Sequence, residues 1–314
     1  MQSASPLIVV LGPTAIGKTI FAAQIAHLVN GEIISADSRQ VYKHMNIGTG
    51  KDYDAYVVNG IPVPFHLIDI VEPTERYDVH RFMKDCEDAI EQVTAKNCIP
   101  IMCGGSGLYI QAVLKNYQYT AVPINHNLRA EIGDKPLVEL QSFFNQLPEN
   151  AYKVIADLST IKRCIRAIEI AVWLEQHTLP KPESIKRKTL VLGLKNSVEE
   201  RRKNIATRLK QRIENGLIDE VQLLMEKGLN QDQLIYFGLE YKFITYYLMG
   251  RINKDELMMQ LTTAIQQFAK RQMTYFRKIE REGCEIIWVD ASLPEDEKLY
   301  TFTQHYHYFI QNLA

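Results

Sequence analysis

The chain has 314 residues, 46% of them hydrophobic and 23% charged, with a formal net charge of −1. That length allows one large domain or two ordinary ones, and the balance is that of a soluble globular protein. No apolar run approaches the ~18 residues of a membrane span, and residues 1–6 lack the charge and apolar length of a signal peptide.

The five cysteines (Cys86, Cys98, Cys103, Cys164 and Cys284) are odd in number and form no C-x-x-C pair. Reduced thiols in a cytoplasmic protein are therefore expected, with no zinc site and no membrane partner. Charge is spread unevenly. Residues 1–120 hold 9 Lys/Arg against 12 Asp/Glu, and residues 153–212 hold 15 against 6. The basic segment suits either a polyanion-binding face or solvated helix surfaces.

In chain order, Leu7–Leu11 is a short apolar run suited to a buried parallel strand. Gly12-Pro13-Thr14-Ala15-Ile16-Gly17-Lys18-Thr19 follows and fits G-x-x-x-x-G-K-T in full. A helix is expected over Thr19–Val29, with Gly31 placed to end it. In such a loop backbone N–H groups turn toward phosphate oxygens and the helix N-terminus adds partial positive charge. Lys18 adds a full charge and Thr19 a hydroxyl for Mg²⁺.

Glu32–Ala36 reads as a second strand. At its carboxyl end, where loops of an open parallel sheet face the ligand, stands Ser35-Ala36-Asp37-Ser38-Arg39-Gln40-Val41-Tyr42. Asp37 can accept a proton from a nucleophile there; the same residues also suit a helix cap and polar turn. Phe65–Val71 is a third candidate strand, and Leu67-Ile68-Asp69 is a weak match to a magnesium-holding carboxylate. Residues 78–96 place Val79, Phe82, Met83, Cys86, Ile90 and Val93 on one helix face, with Asp78 as the cap. Cys98–Cys103 is the next strand. Gly104-Gly105-Ser106-Gly107-Leu108-Tyr109 ends it with bare backbone suited to a ligand or to a tight turn. A helix is expected over Leu108–Leu114.

Past residue 116 strand signals fade, apart from Thr189–Leu194 and Glu285–Val289, which suit a return to the sheet. Pro180 and Pro182 mark a loop. Amphipathic helices at 199–215 and 218–227 flank Gly216. A long helix spans 254–281, with Asn253 as cap and Glu256 completing a capping box. Its stripe Leu257, Leu261, Ile265, Phe268, Gln272, Phe276 has one polar member, Gln272. Alternating strands and helices predict an α/β fold, a P-loop NTPase-like parallel sheet flanked by helices, with a smaller, mainly helical second region. The expected division is a core over 1–115, a helical insertion over 116–188 and a return to the core over 189–314.

Gly12 to Thr19, Asp37 to Tyr42 continuing through Asn46-Ile47-Gly48-Thr49-Gly50-Lys51, His66 to Asp69, and Gly104 to Tyr109 resemble the tRNA dimethylallyltransferases (tRNA isopentenyltransferases) in order and spacing. So do Arg163 to Glu169, Gly216 to Val221, and Ala269-Lys270-Arg271-Gln272-Met273-Thr274-Tyr275-Phe276-Arg277. The resemblance covers about residues 7 to 290.

The resemblance implies transfer of a dimethylallyl group from dimethylallyl diphosphate to the exocyclic amine of an adenine beside the tRNA anticodon, with Mg²⁺. Gly12, Pro13, Thr14, Ala15, Ile16, Gly17, Lys18 and Thr19 would hold the diphosphate, with Thr19 at the metal. Asp37 would be the general base, assisted by Lys18, Ser106 and Arg208. Asp37, Ser38, Arg39, Gln40, Ser106, Arg129, Arg163 and Arg166 would meet the tRNA, and residues 116–188 would form a shortened tRNA-binding insertion. A monomer is expected. The chain departs from the family at Asp157-Leu158-Ser159-Thr160, at Glu240-Tyr241-Lys242-Phe243, at Asn204 and at Tyr275. Competing readings are an adenylate (cytokinin-type) prenyltransferase, a small-molecule P-loop kinase and a non-catalytic tRNA-binding module.

Overall fold

The computed structural model describes residues 6–179 and 187–312; the loop expected at Pro180 and Pro182 lies outside them. Residues 6–115 and 187–312 form one compact unit, and residues 116–179 a second.

The first unit is built on strand β1 (Leu7–Leu11), whose five residues are all buried. The strand can afford no polar side chain because both its faces are covered. Leu7, Val9 and Leu11 enter one apolar core, and Ile8 and Val10 the other. Helix α1 (Lys18–Val29) and strand β2 (Gly31–Ser35) follow. Asn30, at φ 53, ends the helix by donating its N–H to the Ala26 carbonyl, so Gly31 opens the strand instead of closing the helix. A two-stranded hairpin, β3 (Val57–Val58) and β4 (Ile61–Pro62), turns at Asn59-Gly60, both at positive φ.

The third expected strand shrinks to β5 (Phe65–His66). Leu67 and Asp69 adopt φ 62 and 57, which breaks the extended run, and Val71 keeps only an isolated bridge to Tyr42. Helix α2 (Val79–Ala95) is capped as expected, with Asp78 accepting from the Arg81 N–H. Strand β6 (Ile99–Gly104) and helix α3 (Gly107–Lys115) complete the first half.

In the second unit α4 (His126–Ile132), α5 (Leu137–Gln146) and α6 (Ile161–Leu174) enclose Ile132, Leu140, Phe144, Cys164, Ala167 and Ile168. One carboxylate, Glu169, lies in this unit with its side chain fully buried. It accepts from Arg129 Nε and Nη2 at 2.8 Å each, from the Asn125 N–H at 2.9 Å and from Arg166 Nη1 at 3.3 Å. Arg166 also donates to the Val122 carbonyl at 2.6 Å.

The chain returns to the first unit through β7 (Thr189–Lys195), α7 (Val198–Glu214), α8 (Leu217–Glu226), α9 (Gln231–Tyr236), α10 (Leu239–Leu248), α11 (Lys254–Arg281), β8 (Ile287–Asp290) and α12 (Glu295–Gln311). The capping box of Asn253 and Glu256 at α11 is present. The six-stranded sheet has the order β5-β2-β6-β1-β7-β8, and every pairing is parallel. Consecutive strands β1 and β2 are separated by β6, so the order reverses beside β1. A crevice opens at such a point, outside the carboxyl ends of the strands. Three of the sequence motifs end β1, β2 and β6.

The network on Glu169 fixes a pH dependence. Burial would raise its pKa, but Arg129, the Asn125 N–H and Arg166 outweigh that and hold it below the usual carboxylate range. A depressed folded-state value contributes stability above the unfolded value near 4.5, lost as pH falls through the folded one. Glu169→Ala is expected to destabilise the second unit by roughly 3 kcal/mol, since it strands partly exposed guanidiniums around a buried site. Urea titration with hydrogen exchange on α5 and α6 measures this, and the mutant should show less stability loss below pH 4.5 than the parent.

Candidate active site

The loop after β1 bends through two residues of left-handed backbone, Ala15 at φ 59 and Gly17 at φ 84, a pattern that curves a chain into a concavity. Such a concavity suits an anion. Lys18 folds back on the loop and donates to the Pro13 carbonyl at 2.6 Å. Burial of its ammonium pushes its pKa down to about 8; the Cys103 thiol and Asp37 carboxylate oppose the shift, and the Arg208 guanidinium adds to it. Lys18, Asp37 and Arg208, 190 positions apart at the extremes, thus share one electrostatic neighbourhood. Burial lifts the Cys103 thiol to about 12, so it is inert as a nucleophile.

Asp37 heads a tight turn: its Oδ1 accepts the Arg39 N–H at 2.8 Å, and no other hydrogen bond reaches the carboxylate among the described residues. Ser106 Oγ accepts the Ser38 N–H at 3.1 Å, so the third motif holds the second. The backbones meet so closely that a methyl group at Gly104 would overlap Ala36. Gln40 accepts from Ser35 Oγ at 2.9 Å and donates to the Gly50 carbonyl at 3.0 Å. The Arg39 guanidinium lies 4.7 Å from the ring centre of Tyr236.

Asp69, the candidate metal carboxylate, is taken up instead by Lys51 and Tyr53. Lys51 is fully buried and also donates to the Tyr42 carbonyl and to Asn46 Oδ1. The neighbouring loop is fixed by Glu220. Its carboxylate accepts the N–H groups of Asn46 and Ile47 at 2.7 Å and of Gly48 at 3.0 Å, and the Tyr241 hydroxyl at 2.7 Å. Sequence reasoning did not assign Glu220, Tyr241 or Lys51 a task. It also missed Gln272, whose Oε1 accepts the Thr14 N–H at 2.9 Å and whose Nε2 donates to the Gly105 carbonyl at 2.8 Å. The available signal was its lone polarity in an apolar stripe.

Arg208 donates to Asp52 at 2.6 Å. It lines a cavity with Thr14, Ala15, Ile205, Leu209, Arg212, Glu240 and Ile265. Arg129, Arg163 and Arg166 belong to the second unit. Arg163 bonds Asp157 at 2.9 Å and Ser159 at 3.0 Å, which gives that departing segment a local task. Among the described residues no three His, Cys, Asp or Glu side chains form a metal-holding group, and no helix is long and apolar enough to cross a membrane.

A family model described as IPP transferase matches residues 40–279, and one described as isopentenyl transferase matches residues 5–62. The tRNA dimethylallyltransferase 2 of Bacteroides fragilis is 47% identical over 296 residues, 93% of this chain and 95% of that one. Its counterpart in Phocaeicola vulgatus is 46% identical over 93% and 95%. The crystal structure of the full-length tRNA isopentenylpyrophosphate transferase of Bacillus halodurans matches with a TM-score of 0.72 at 28% identity, over 98% of both chains.

The low Lys18 pKa predicts proton-coupled anion binding. A bound polyanion raises that pKa, so at pH 8 inorganic pyrophosphate should take up about half a proton through this residue. Calorimetry in buffers of different ionisation enthalpy measures the uptake. Affinity should weaken as pH rises above 8, and Lys18→Met should remove that part of the slope.

Proposed function

The chain belongs to the IPP transferase family, and we propose that it moves a dimethylallyl group from dimethylallyl diphosphate to the exocyclic amine of an adenine beside the tRNA anticodon. The observation that carries this reading is the cavity that Arg208 lines with Thr14 and Ala15 of the loop after β1, in the same electrostatic neighbourhood as Lys18 and Asp37. The loop N–H groups and Lys18 bind the diphosphate, with Arg208 at its flank. As the carbon–oxygen bond breaks, its electron pair passes to the bridging oxygen, and these fixed positive groups stabilise the charge that develops there. The adenine amine forms the new carbon–nitrogen bond and gives its proton to Asp37. Ser106 keeps the Asp37 turn in place through the Ser38 N–H.

Thr19, at the first turn of α1, is an oxygen donor of the kind that holds Mg²⁺ together with phosphate oxygens instead of an all-protein cage. The ion would supply further neutralisation of the leaving diphosphate. For tRNA, Ser38, Arg39 and Gln40 surround Asp37 at the crevice. A loop adenine must be extruded to reach that carboxylate. In the second unit Arg163 is 55% exposed and is the arginine we assign to an RNA phosphate. Arg129 and Arg166 serve the unit through Glu169.

A transfer assay with labelled dimethylallyl diphosphate, bulk tRNA and free adenine nucleotides tests the reading. Label is expected in tRNA alone. Label in free nucleotide would make the protein a cytokinin-type enzyme, and ATP consumption without label would make it a kinase. Asp37→Ala should lower turnover by about 10²–10⁴-fold while leaving tRNA binding within a small factor; turnover near the parent's would remove Asp37 as the base.

A further inference from the structure

Helix α7 presents two guanidiniums to one cavity. Arg208 and Arg212 are four positions apart and therefore lie on the same helix face. Both line the space whose other walls include Thr14 and Ala15 of the phosphate loop, Ile265 and Glu240. They are admitted there by Gly50, at φ 70, where a methyl group would overlap the Arg212 guanidinium and stand 2.7 Å from Arg208 Nη2. The two arginines differ in what they hold. Arg208 is hydrogen-bonded to Asp52. Arg212 is more deeply set, its side chain 14% exposed, and its nearest carboxylate oxygen is Glu240 Oε1 at 3.6 Å, beyond hydrogen-bonding reach. Among the described residues the Arg212 guanidinium makes no hydrogen bond.

A guanidinium only 14% exposed and without a protein acceptor leaves its donors to what little water reaches them, which is costly, and like charges at this helical spacing repel. Burial holds the Arg212 pKa below its usual value, and Arg208 adds to that shift. An anion with several oxygens removes all three penalties at once. A planar guanidinium binds such an anion through two parallel hydrogen bonds. Glu240 attracts Arg212 into the cavity without consuming its donors.

We infer that Arg212 is a second guanidinium contact to the diphosphate, beside Arg208 and Lys18. The identity of that ligand as a diphosphate ester rests on the prenyl-transfer reading above; the anion contact does not.

Calorimetry with inorganic pyrophosphate on the full chain tests the inference, with prenyl transfer to tRNA measured separately. Arg212→Met should weaken pyrophosphate by about tenfold or more and raise KM for dimethylallyl diphosphate, with tRNA affinity unchanged. Arg212→Lys, which keeps the charge and loses the fork, should fall between. Parental pyrophosphate affinity in Arg212→Met overturns the inference. Should that variant melt below the parent, Arg212→Lys decides: a loss of several-fold supports the contact and parental affinity overturns it. A parent that transfers no prenyl group, yet whose pyrophosphate affinity depends on Arg212, would end the prenyl-transfer reading and leave the contact standing.

Discussion

One carboxamide ties together the parts of this protein on which the site depends. Gln272 accepts from Thr14 in the phosphate loop and donates to Gly105 at the end of β6. No other side-chain type of this length does both: glutamate cannot donate, and an aliphatic residue would leave the Thr14 N–H and the buried Gly105 carbonyl unpaired. The bond partners are 258 and 167 positions away in sequence. Helix α11 is therefore part of the geometry of the loop after β1. Tyr275, one turn further on, packs over Gly107 and bonds Gln111 at 2.6 Å, extending the same seam.

A second set of contacts positions the floor of the crevice. The loop 42–52 is anchored in the core by Tyr42 and Met45, and polar groups hold the rest of it. Glu220 gathers three N–H groups and the Tyr241 hydroxyl, and Lys51 gathers a carbonyl, an amide and Asp69. For Lys51, which is buried, each lost bond would leave a desolvated charge, so its partners are held firmly. The consequence is local: Gly50 is presented to Gln40 on one side and to Arg208 and Arg212 on the other.

The fold was legible wherever a periodic apolar pattern met a cap. β1, α2 and α11 fell within a residue or so of expectation because Leu7–Leu11, Asp78 and the Asn253–Glu256 pair are local signals. β5 was over-extended because Leu67 and Asp69 turn at positive φ under tertiary constraint, which no propensity for strand encodes. Asn30 ending α1 in place of Gly31 is the same lesson on a smaller scale, since both residue types tolerate the left-handed region. The G-x-x-x-x-G-K-T loop after β1 and the Asp37 turn after β2 could be placed from sequence because their spacing is local. Gln272, Glu220, Lys51 and Arg212 were not, since each acts on a partner far away in sequence.

The pairing of Arg208 with Asp52 has a consequence for selectivity. Asp52 is 57% exposed and sits on the guanidinium as an internal counter-ion. Any incoming anion must out-compete this carboxylate, which is held at high effective concentration by the fold. An anion that offers several oxygens competes best for the guanidinium, and Asp52, more than half exposed, turns to water at small cost. Within one cavity the two guanidiniums therefore differ: Arg208 already carries a counter-ion that the fold supplies, and Arg212 does not.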